Sequence, residues 1–85
     1  MTGVRVGEVT HFFDRINVAA ILLTHPLHKG DQVHFLGHGS DFTQEITSLQ
    51  IEHEAVENAP KGEEVAVRVV KPVKAHTSVF LITEE

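Results

Sequence analysis

Seven histidines are the residues here with the widest chemical range: His11, His25, His28, His34, His38, His53 and His76. An imidazole can ligate a metal, carry a proton or change charge near neutral pH. A zinc or nickel site needs three or four nitrogen or oxygen ligands converging at about 2.0–2.2 Å. The spacing does not supply that. On a strand, His34 and His38 share a face but stand roughly 13 Å apart, unless a turn at Gly37 folds them together. His25 and His28 flank Pro26-Leu27, and no His-x-x-x-His pair lies on a helical stretch. No metal is therefore expected, and a small histidine-rich metal-binding protein is kept as an alternative. Ser40-Asp41 beside His38, and Ser78 near His76, resemble pieces of a nucleophilic triad. A triad is a geometry, and sequence neighbours on a strand rarely converge. No catalytic residue and no cofactor are assigned, and the chain is not expected to be an enzyme.

The elements that would position these residues read as strands. Val4 to Phe13 is the first, with Gly7 as a bulge that lets Val6 and Val9 point the same way. Val18 to Thr24 is the second. Both of its faces are apolar, so either it is buried on both sides or one face meets a partner. Lys29-Gly30-Asp31 is expected to turn it back into a third strand, 31–37, making a hairpin. Asp41 to Thr43 leads into a long fourth strand through Ile51 or beyond, with an irregularity at Ile46. Residues 54–64 form a loop in which Ala55, Val56 and Ala59 tuck inward. Val65 to Val70 and Ser78 to Ile82 are the last two strands. Residues 1–3 read as a loose start and Thr83-Glu84-Glu85 as a solvated tail. The expected fold is all-β: a small closed six- to seven-stranded antiparallel β-barrel, which removes exposed edges.

Composition narrows the function. The chain has 85 residues, enough for one domain with one core. It is read as a single domain over 1–85, with the barrel core about 4–82. Net charge is −5, which argues against dense phosphate contact. Lys61, Arg68, Lys71 and Lys74 are the one local cluster of cations, and would be the RNA-contacting set if they converge. Cysteine is absent, so there is no disulfide and no thiolate metal site. No signal pattern opens the chain, and the apolar run 18–23 is far short of the roughly 20 residues of a membrane span. A soluble, cytoplasmic protein is expected.

The order of motifs resembles a known family. Val6-Gly7-Glu8-Val9-Thr10 comes first, then Leu27 with Lys29-Gly30-Asp31-Gln32-Val33. Ile46-Thr47-Ser48-Leu49-Gln50 follows, then Ala59 with Lys61-Gly62-Glu63-Glu64-Val65-Ala66-Val67, and a closing Val79-Phe80-Leu81-Ile82. This pattern is similar to the second domain, a β-barrel, of translational GTPases such as elongation factor Tu. Glu63 stands where that family often has Asp. The chain also resembles the small translation elongation factor-like proteins, and the C-terminal barrels appended to some collagenase-like peptidases. It has no Gly-x-x-x-x-Gly-Lys-Ser/Thr loop, so the GTPase domain is lacking. The resemblance implies a stand-alone, non-catalytic translation-factor-like binding module, with a tRNA- or RNA-contacting accessory protein as the alternative. In elongation factor Tu the barrel helps hold the aminoacyl end of tRNA through residues after the central strand. The matching stretch here, near Glu52 to Glu57, is acidic. The expected partner is a protein or ribosomal component, with RNA or a second copy as alternatives and neither membrane nor DNA. The expected partner contacts are Lys29, Gly30 and Asp31 at the turn and Glu52, Glu54 and Glu57 in the loop.

Overall fold

The computed structural model describes residues 2–82. The chain is all-β there, with ten strands and no helix. They are β1 (Thr2–Phe13), β2 (Val18–Leu23), β3 (Leu27–His28), β4 (Gln32–Gly37), β5 (Ser40–Glu45), β6 (Gln50–Ile51), β7 (Glu54–Ala55), β8 (Asn58–Ala59), β9 (Glu64–Arg68) and β10 (Ser78–Ile82). Eight of them form one sheet in the order β5-β4-β10-β1-β2-β9-β6-β7, and β3 pairs with β8 in a second. Thr2 and Gly3, expected to be loose, belong to β1. The expected solvated tail lies outside the described residues.

Alternation along the strands builds the core. Ala19, Ile21 and Leu23 of β2, Val33 and Phe35 of β4, and Val65 and Val67 of β9 all point inward and are buried. β1 keeps two core residues three positions apart because it bulges. Arg5 pairs with Phe80 but Gly7 with Val79, and Val6 and Val9 are both fully buried. Gly7 is needed on its own account. A Cβ there would lie 2.7 Å from the Leu22 carbonyl oxygen and 2.8 Å from Ile21 Cγ2. Phe42 stacks on Phe35 with ring centroids 5.0 Å apart.

Two expectations are corrected. First, β2 does not form a hairpin with β4. It lies between β1 and β9, while β4 lies between β10 and β5. The Lys29-Gly30-Asp31 turn, with Gly30 at φ 97°, is a corner rather than a reversal. Its backbone is used elsewhere: Lys29 N–H donates to the Glu57 carbonyl, Gly30 N–H to that of Ile46, and Ile46 N–H to that of Asp31, each at 2.8 Å. Second, the ladder is not closed into a barrel. The chain leaves the sheet after Glu45 to bury Ile46 and Leu49, so the long fourth strand breaks. That leaves β5 and β7 as the two ends of the main sheet.

A side chain spans part of the gap. Gln44 on β5 is buried, and its amide reaches the chain at the end of β9. Nε2 donates to the Arg68 carbonyl and Oε1 accepts from Val70 N–H, both at 2.9 Å. A primary amide has the donor and acceptor of a peptide group, so it stands in for a missing rung. No helix of the described residues is long and apolar enough to cross a membrane.

Candidate functional site

The outward side of the sheet carries the polar chemistry, and strand register decides what meets. Glu8 pairs across to Ser78, two residues beyond His76. His76 Nδ1 donates to Glu8 Oε2 at 2.8 Å, and Arg5 donates to Glu8 Oε1 at 3.3 Å. The His76 hydrogen bond, then that of Arg5, hold the Glu8 carboxyl below its ordinary value of 4.5. His38 lies beside this group, its ring centroid 6.1 Å from that of His76. On the neighbouring pair β4–β5, His34 Nε2 donates to Asp41 Oδ1 at 2.6 Å.

This register takes the triad fragments apart. Asp41 bonds His34, not His38, and Ser78 Oγ accepts from Arg5 Nε at 3.3 Å while His76 turns to Glu8. His25 Nδ1 lies 2.9 Å from the Pro26 carbonyl, and His11 packs on Phe13 at 4.5 Å between centroids. Among the described residues no group of three or more His, Cys, Asp or Glu is placed to hold a metal.

The expected contact residues divide between two places. Lys29, Gly30 and Asp31 lie against Glu57 through the Lys29 N–H bond, and the Asp31 carboxylate accepts from His28 N–H at 2.9 Å. Glu52 lies instead at the tip of the β6–β7 hairpin, whose Ile51 pairs with Glu54. Glu52 and His53 have φ of 49° and 69°. Two successive left-handed residues are the mark of a type I′ turn, normally Asn-Gly. With Gln50 and Glu64, these two residues rim a hollow of about 160 Å³ floored by Ala20, Val65 and Ala66. The chain bends hard here to hold an acid and an imidazole over the outward side of β2 and β9.

The four cations do not converge. Lys61 precedes β9, next to the bond from Gly62 N–H to the Leu23 carbonyl, while Arg68 ends that strand. Lys71 lies beyond it, with Nζ 5.7 Å from the Phe42 ring centroid, and the Lys74 carbonyl caps Thr77. Lys61 is thus at the opposite end of β9 from the others. Nothing in the sequence alone pointed to the Arg5–Glu8–His76 group, and of the residues around the hollow only Glu52 was singled out as a contact. His76 and Glu8 are 68 positions apart, and only register joins them.

No protein-family model matches the chain. A curated relative, an uncharacterized protease of Methanocaldococcus jannaschii, is 35% identical over 82 residues. That match covers 95% of this chain but 20% of the relative, so the chain spans about a fifth of that protein's length. Among solved structures, the C-terminal domain of a protein assigned as a U32 peptidase in Geobacillus thermoleovorans superposes with a TM-score of 0.88. The match covers 94% of this chain and 93% of that domain at 20% identity. The selenomethionine variant of that domain gives the same TM-score at 21% identity, covering 92% and 99%. The fold is therefore that of a U32 peptidase C-terminal domain.

These matches overturn the translation-factor relation and the function drawn from it. The similar proteins are named as proteases, not as elongation factor-like proteins. The RNA-contacting and metal-binding alternatives gain no support from them, and the separated cations and scattered histidines fit that outcome. The expectation that the chain is not an enzyme is also corrected, to a chain similar to part of a protein named as a protease. The motifs misled because Gly30-Asp31 and Gly62 are corners, and many small β-folds need a glycine at a corner.

Proposed function

We propose that this chain serves as a C-terminal β-domain of the U32 peptidase kind, working beside a catalytic part that it helps to position on substrate. It acts in this reading as one folding unit over about 4–82. The observation that carries the proposal is the uneven coverage: nearly all of this chain matches, against a fifth of the protease from Methanocaldococcus jannaschii. The likeness to a separately crystallised C-terminal domain supports the same division. The frame suits that role, since a stiff sheet presents its turns and outward faces to a neighbour.

Domain replacement tests this. In the Methanocaldococcus relative, the matching region is either deleted or exchanged for this chain, and hydrolysis of labelled casein is followed. Deletion is expected to lower the rate about tenfold or more, and exchange to restore most of it. A folded exchange variant as inactive as the deletion overturns the proposal. So does a deletion that leaves the rate unchanged.

A further inference from the structure

β2 has a second apolar side that the core does not use. Val18, Ala20 and Leu22 point outward, and Leu22 is 45% exposed. Register extends them into rows across the sheet: Phe13-Val18-Arg68, then His11-Ala20-Ala66-Gln50, then Glu8-Leu22-Glu64. The middle row is low because its centre is two alanines. The β6–β7 hairpin rises beside it and makes a trough with one wall. Glu52 and Glu64 stand at one end and Arg68 at the other. Thr10 Oγ1 donates to Glu64 Oε2, which fixes that carboxylate at the rim.

The dimensions select the ligand. The hollow of about 160 Å³ is below the roughly 300–1,000 Å³ of a cofactor or small-molecule pocket. It suits one long side chain, with its aliphatic stem over Ala20 and Ala66 and its cationic head at the two carboxylates. Glu64 and Arg68 are four residues apart on one strand, roughly 13 Å. In an extended polypeptide, residues i and i+4 have the same separation and the same facing. The ends of the trough carry opposite charge, so a complementary segment carries a base and an acid at that spacing.

We propose that this face docks an extended segment of a partner polypeptide, with Lys or Arg in the hollow against Glu52 and Glu64 and an acidic side chain four residues away on Arg68. Small or apolar residues between them cover Ala20 and Ala66. This inference stands apart from the peptidase proposal, because it needs no catalytic part.

Fluorescence anisotropy on the full chain tests it. The probe is a labelled peptide containing Lys-Val-Ala-Val-Asp, and its control has Gln and Asn at the two ends. The charged peptide is expected to bind about tenfold more tightly, the worth of two exposed ion pairs. Glu52→Gln and Glu64→Gln should each weaken it about threefold. Arg68→Glu should reverse the preference toward Lys-Val-Ala-Val-Lys. Each substitution is at an exposed position, and an unchanged melting curve establishes that the variant is folded. Equal binding of charged and neutral peptides overturns the proposal, as does an Arg68→Glu variant with unaltered preference or the absence of saturable binding.

Discussion

Glu8 receives two different donors, an imidazole from the far end of the chain and a guanidinium from its own strand. Both favour the ionised carboxylate, so its folded pKa lies below 4.5. As pH falls, the unfolded chain binds this proton first. The group therefore stabilises the fold above about 4.5, and the contribution disappears as pH drops through the lowered folded value. Glu8→Gln is expected to lower the melting temperature at pH 7, with the gap to the parent closing below about pH 4. Scanning calorimetry across that range checks it, and a gap that persists unchanged at about pH 3 refutes it. Little of this was legible in the sequence. Composition gave the residue types, but strand pairing over a separation of 68 positions chooses the partners. Gly7 was legible, because a glycine within an alternating strand already signals a bulge, and its backbone contacts supply the reason.

Strands with clean alternation were the most readable elements. β4 and β9 place Val or Phe at alternate, inward positions and β10 places Val79 and Leu81 there, and all three lie close to where the pattern put them. The stretch 46–64 was less readable, since its short strands have two residues each and no room for a period. Gln44 shows another limit: in sequence it is one polar residue in a strand, and its role depends on where the sheet stops. Gln44→Ala would leave Val70 N–H and the Arg68 carbonyl without these partners, at a cost of about 1–3 kcal/mol. Urea denaturation should show that loss, and Gln44→Glu should recover little, because a carboxylate cannot donate to the Arg68 carbonyl. The β6–β7 tip predicts the opposite sign. Replacing Glu52-His53 by Asn-Gly suits the left-handed φ values, and should stabilise by about 1–2 kcal/mol. The same change should weaken binding of the basic peptide, separating the strain at the hairpin from its use.

At the scale of the whole molecule, the all-β class was readable and closure was not. Closing a sheet depends on the far edges meeting, and here the chain turns inward at Ile46 before they do. The translation-factor relation was the larger correction, and the proposed peptidase-domain role rests on coverage rather than on any one motif. Its most direct test is calorimetric titration of this chain into the Methanocaldococcus protease lacking the matching region, with both proteins first confirmed as folded. Saturable one-to-one association is expected; no heat of binding at micromolar concentrations of both would contradict the proposed role.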